Sequence, residues 1–82
     1  MNIQTSITWH TDAHVAVDRA TVEHRGHTYR LVAYATGSEM FEYILYRDNV
    51  RIERDVELTF EEAHDCAEAA LTDRLAKETV TQ

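Results

Sequence analysis

The stretch that decides the fold is residues 59–78, Thr59-Phe60-Glu61-Glu62-Ala63-His64-Asp65-Cys66-Ala67-Glu68-Ala69-Ala70-Leu71-Thr72-Asp73-Arg74-Leu75-Ala76-Lys77-Glu78. Its opening is a capping box: the Thr59 side chain can accept the free amide of Glu62, and Glu62 can reach back to Thr59. Acids in the first turn suit the positive helix start, and Arg74 and Lys77 suit the negative end. At about 100° per residue, Phe60, Ala63, Ala67, Ala70, Leu71 and Leu75 fall in one stripe of about 140°. Glu61, Glu62, Asp65, Glu68, Thr72 and Asp73 fall outside it. The spacing predicts one amphipathic helix with a narrow, Ala-rich inner face, fraying over residues 79–82.

Upstream of the helix the pattern changes to strands. Residues 2–10 alternate, with Ile3, Thr5, Ile7 and Trp9 on one side, and His10-Thr11-Asp12-Ala13 reads as a turn. Residues 14–25 form a second strand whose apolar phase changes near Asp18-Arg19, the mark of a bulge or bend, unless a short helix covers 12–20. Arg25-Gly26 is a turn signal, residues 27–36 a strand, and Gly37-Ser38 the next break. Residues 40–47 are strongly β-prone. Asp48-Asn49 then suits a two-residue hairpin turn into a strand over 50–58, because both residues tolerate positive φ. In that last strand Val50, Ile52, Val56 and Leu58 keep one parity, while Arg51, Glu53, Asp55 and Glu57 are polar. The prediction is a single α+β domain over 1–82: a four- to five-stranded antiparallel β-meander with one C-terminal α-helix packed on one face. The other sheet face is left uncovered and partly aromatic, a candidate contact surface.

The 82 residues allow one modest core, so a homodimer or a partner that finishes the burial is expected. With one cysteine, Cys66, no internal disulfide can form. The N-terminus lacks a signal-peptide pattern and no segment suits a membrane span, so a cytoplasmic protein is expected.

The net charge of −7 is uneven: residues 1–52 hold six acids and five bases, whereas 53–82 hold nine acids and three bases. Direct nucleic-acid binding through phosphates needs the opposite sign. Glu53, Asp55, Glu57, Glu61, Glu62, Asp65 and Glu68 run from the last strand into the exposed helix face. This is either a solvated surface or a docking face for a partner with a basic surface, including a nucleic-acid-binding complex. No nucleotide-binding, nucleophile-elbow or zinc-protease motif occurs, and no enzyme is expected. His64 and Cys66 are two apart, about 200° around a helix, so they cannot act as a pair. His10 and His14 with Asp12, and His24 with His27 across the Gly26 turn, are the alternative: a metal- or small-ligand-binding domain. Exposed strand-end histidines are the commoner reading, and no cofactor is expected. Arg47, Arg51 and Arg54 surround the last hairpin, where Glu42, Glu53 and Asp55 suggest cross-strand pairing.

In size, acidity and layout the chain resembles small phage-encoded inhibitors of the anti-CRISPR type. That resemblance implies a non-enzymatic protein encoded by a phage or mobile element, acting in the host cytosol on a host complex. Leu58-Thr59-Phe60-Glu61-Glu62-Ala63 resembles the helix start of HicB-type antitoxins, and immunity proteins share the size and charge.

Overall fold

A computed structural model describes residues 7–37 and 39–80. Five strands, β1 (His10–Asp12), β2 (Val17–His24), β3 (His27–Ala35), β4 (Phe41–Arg47) and β5 (Val50–Glu57), precede one helix, α1 (Phe60–Val80). The strands form one antiparallel sheet in sequence order, β1-β2-β3-β4-β5, and the helix lies across β3 and β4. This is the expected α+β meander.

Two tight hairpins set the register. His24 pairs with His27 and Arg47 with Val50. Between them, Arg25-Gly26 and Asp48-Asn49 all have positive φ, between 51° and 82°. Two successive left-handed residues make the turn whose twist matches that of the flanking strands. Gly26 supplies this without steric cost, while Asp48 and Asn49 are among the side chains that tolerate it.

The first turn departs from expectation. The strand expected over 2–10 falls mostly outside the described residues. In its described part, residues 7–9 are not strand, and His10–Asp12, expected as a turn, pair with Val17–Arg19. The turn lies at 13–16 because Asp12 organises it. The Asp12 carboxylate accepts the His14 amide at 3.1 Å, and the Asp12 carbonyl accepts the Val15 amide at 3.3 Å. This is an Asx turn.

β2 is an unbroken strand, with neither a bulge nor a helix over 12–20. Its phase change has another cause: Asp18 occupies an inward position beside Ala20 and is only 6% exposed. The bulge sits in β5 instead, where Leu45 opposes Glu53 and Tyr46 opposes Arg51, leaving Ile52 as the extra residue.

The core lies between sheet and helix. Tyr29, Leu31, Ala33, Tyr43 and Leu45 meet Ala63, Ala67, Leu71 and Leu75, as the helical stripe requires. Alanines at 63 and 67 allow the helix axis to approach the sheet closely. Arg25 and Glu78 tie the helix end to the first hairpin: the Arg25 guanidinium donates to the Glu78 carbonyl at 2.9 Å, and the Tyr29 hydroxyl donates to the Glu78 carboxylate. The helix extends to Val80, two residues beyond the expected 59–78, and the rest of the terminus lies outside the described residues. No described helix is long and apolar enough to cross a membrane.

The cap forms with one change of partner. The Glu62 amide donates to Thr59 Oγ1 at 3.0 Å, while the Thr59 hydroxyl donates to the Glu62 carboxylate at 3.1 Å. Thr59→Ala is expected to destabilise the fold by about 1 kcal/mol in a urea titration, with Thr59→Ser restoring most of it.

Candidate protein-docking surface

The bulge at Ile52 decides where the β5 acids point. Without it, Val50, Ile52 and Val56 would share the helix side, as their parity suggests. One extra residue flips every following side chain. Glu53, Asp55 and Glu57 therefore oppose Leu45, Tyr43 and Phe41 on the helix side of the sheet, while Arg54 and Val56 turn to the open face. Ile52 itself still packs against the core, and its carbonyl accepts from Arg74 at 3.3 Å. Leu58 is 71% exposed and Val50 63% exposed.

Because β5 is an edge strand and the helix is centred over β3 and β4, these carboxylates stand beside the helix rather than beneath it. Glu62 and Cys66 form the facing side of the helix. Two groups register the resulting negative field. Burial pushes the Cys66 thiol up, and Glu57, Glu62 and Asp55 push it further. Burial also raises the Tyr43 phenol; its hydroxyl donates to Glu53 at 3.1 Å, and Glu53 and Asp55 add to the shift. A thiol held protonated is the reverse of an activated nucleophile. Glu61 and Asp65, both exposed, continue the acidic surface over the outside of α1.

Glu68 lies away from Glu62 and the β5 acids. It lies about 120° around the helix from Glu62 at 100° per residue, on the flank facing β2, where its carboxylate accepts the Trp9 indole at 2.6 Å. The same flank holds a cluster that alternation alone did not reveal. The Trp9 ring stacks on His64 with centroids 4.3 Å apart and planes at 11°, and Phe60 closes the other side at 4.7 Å. His64 Nε2 lies 2.8 Å from Asp18 Oδ2, off the line of a hydrogen bond, and Asp18 Oδ1 has no hydrogen-bond partner among the described residues. The signal for this cluster was the acid at an inward position of β2, answered by a histidine at the edge of the helical stripe.

Asp12, between His10 and His14, is committed to its turn and to Arg19 at 3.5 Å. The His27 ring lies between Asp48 at 2.6 Å and Arg47 at 3.0 Å, so both ring nitrogens are engaged. A bond from the Thr28 amide, then His27, holds the Asp48 carboxyl below its ordinary value. Among the described residues no group of three or more His, Cys, Asp or Glu could hold a metal ion. Of the hairpin arginines, Arg54 pairs with Glu42, Arg47 binds His27, and Arg51 is exposed on the open face. Comparison with protein-family models, with curated proteins and with solved structures finds no match for this chain.

Proposed function

We propose that the chain is a non-enzymatic, protein-binding inhibitor of the anti-CRISPR-like kind, in which an acidic edge occupies a basic, nucleic-acid-binding surface of a host protein complex. The observation that carries this reading is the β5 bulge, which places Glu53, Asp55 and Glu57 on the helix side of the sheet, near Cys66 and Glu62, while the exposed Glu61 and Asp65 lie further round the helix. A row of carboxylates along one rigid edge, spaced by strand and helix geometry, is the charge pattern a phosphate-binding surface would accept. Such charges raise the association rate and set orientation, while nearby apolar groups such as the exposed Leu58 add affinity.

The test reverses exposed charges that hold no core contact. Asp55→Lys, Glu61→Lys and Asp65→Lys together change the net charge from −7 to −1, three reversals of two charges each. Binding to the partner retrieved from the native host is expected to weaken about 10- to 100-fold at low salt, with a much flatter salt dependence. Unchanged affinity with an intact circular-dichroism spectrum would remove the electrostatic reading.

A further inference from the structure

Both tight hairpin turns and the last turns of α1 meet at one end of the sheet. The Arg25-Gly26 turn leads into His27, and the Asp48-Asn49 turn follows Arg47. Asp48 binds Thr28 at the start of β3 twice: its amide donates to the Thr28 carbonyl at 2.8 Å, and its Oδ1 accepts the Thr28 amide at 2.9 Å. The Oδ2 of Asp48 lies 2.6 Å from His27 Nδ1, and the other ring nitrogen, Nε2, lies 3.0 Å from an Nη of Arg47. A guanidinium has donors only and does not lose its charge, so Arg47 must donate and Nε2 must accept. A ring nitrogen that accepts carries no proton. The one proton of the ring is therefore on Nδ1, where the Asp48 carboxylate accepts it. That carboxyl is held below its ordinary value, first by the Thr28 amide and then by His27. The bonds thus run from Arg47 through a neutral imidazole to Asp48, and they fix the tautomer of the ring.

We infer that His27 is a proton-operated clasp: neutral, it joins Asp48 to Arg47, and with a second proton, on Nε2, it keeps Asp48 and releases Arg47. The added proton takes the lone pair that Arg47 uses. An N–H then faces an N–H, with two positive groups at the present distance of 3.0 Å. On the Nδ1 side nothing is lost, because the bond to Asp48 becomes one between opposite charges. Asp48 favours the proton and Arg47 opposes it, so acid exchanges one partner for a stronger bond to the other. The two Thr28 bonds do not involve the ring and hold the hairpins together in both states. Arg47 Nε is buried without a hydrogen bond among the described residues, so the guanidinium has little else to hold it once His27 lets go. Other ionisable groups at this end have separate tasks. From α1, Glu78 accepts Arg25 at its carbonyl and the Tyr29 hydroxyl at its carboxylate, and Lys77 pairs with Asp73 at 3.0 Å. Burial, then the bond to Glu78, pushes Tyr29 up to about 12, so it keeps its proton throughout. From β2, His24 pairs with His27 across the turn, and Glu23 takes the Thr28 hydroxyl at 3.0 Å. Arg30 and Arg51, both beside Tyr46, stand on the opposite face of the sheet. The clasp lies at the far end of the helix from Glu61 and Glu62, and does not depend on the role proposed for the acidic edge.

Nitrogen-15 NMR of the histidine rings in the full chain, followed through an acid titration from pH about 8, reads the ring directly. His27 is expected to begin with a proton on Nδ1 and none on Nε2, and to gain the Nε2 proton as the pH falls. Release of Arg47 is read by urea unfolding of Arg47→Met, which keeps an aliphatic stem and removes the donors. At pH about 8 this variant is expected to raise the unfolding constant about 2- to 10-fold, the worth of one hydrogen bond. That factor should shrink toward one over the same pH interval in which Nε2 gains its proton. In His27→Gln, whose amide takes up no proton, Arg47→Met should have the same effect at every pH. A ring that begins with its proton on Nε2 overturns the inference. So does an Arg47→Met effect that stays constant while Nε2 is protonated. A pH dependence that persists in His27→Gln overturns it too, and points to His24 instead. Should Arg47→Met fail to fold, the wild-type ring nitrogens still decide, because Nε2 bare or protonated at the start separates the two assignments.

Discussion

His64→Ala is expected to destabilise the protein by about 3 kcal/mol, most of it through a carboxylate the substitution never touches. Asp18 is 6% exposed, with its Oδ2 2.8 Å from His64 Nε2. Removing the imidazole leaves that carboxylate buried without the polar group beside it, and removes the surface on which Trp9 stacks. Asp18→Asn is expected to cost less, because a neutral amide is cheaper to bury than a carboxylate. The double variant should then be more stable than His64→Ala alone, by about 1–2 kcal/mol, since the orphaned charge is gone. Urea denaturation followed by fluorescence measures this directly, because Trp9 is the sole tryptophan. Simple additivity of the two single costs would show that Asp18 and His64 are not coupled.

Leu71→Ala is expected to cost about 3 kcal/mol and Leu58→Ala close to nothing. Leu71 is fully buried against the sheet, whereas Leu58 is 71% exposed. For a chain of this length total stability is roughly 4–12 kcal/mol, so losing Leu71 removes a large part of it. At about 4–8 °C per kcal/mol for a small domain, the melting temperature should fall by roughly 15 °C. Equal effects at the two leucines would mean that β5 follows its simple parity and that the bulge at Ile52 is absent.

That contrast shows where alternation can be trusted. The helix was legible because three independent signals agreed: the Thr59 cap, the Phe60–Leu75 stripe and the placement of end charges. Both tight hairpins were legible because Gly26, Asp48 and Asn49 accept positive φ more readily than other residues, and Arg25 adopts it beside Gly26. β5 was not, because a bulge of one residue leaves no mark in composition yet exchanges the two faces of everything after it. β2 misled in the opposite way. Its broken apolar phase suggested a backbone irregularity, whereas the backbone is regular and a buried aspartate stands at the inward position. A charge can occupy a core position only when a partner arrives from elsewhere in the fold, and His64 lies 46 residues further on.

The candidate site was half legible for the same reasons. Glu61, Glu62 and Asp65 follow from helical geometry and stand where expected. Glu53, Asp55 and Glu57 were named with them on charge alone, and it is the unforeseen bulge that carries them to the helix side. Glu68 shares their charge and lies on the same helical stripe as Glu61 and Asp65, but Trp9, distant in sequence, takes its carboxylate.

The proposed function stands or falls on competition at the partner's nucleic-acid site. A fluorescent nucleic acid bound to the isolated host complex is titrated with this chain, and its anisotropy is followed at low salt. About one equivalent of wild-type chain is expected to release the nucleic acid, and the Asp55→Lys, Glu61→Lys, Asp65→Lys variant to require at least about ten times more. A stable ternary complex, with the nucleic acid retained at undiminished affinity while the chain is bound, would contradict the account.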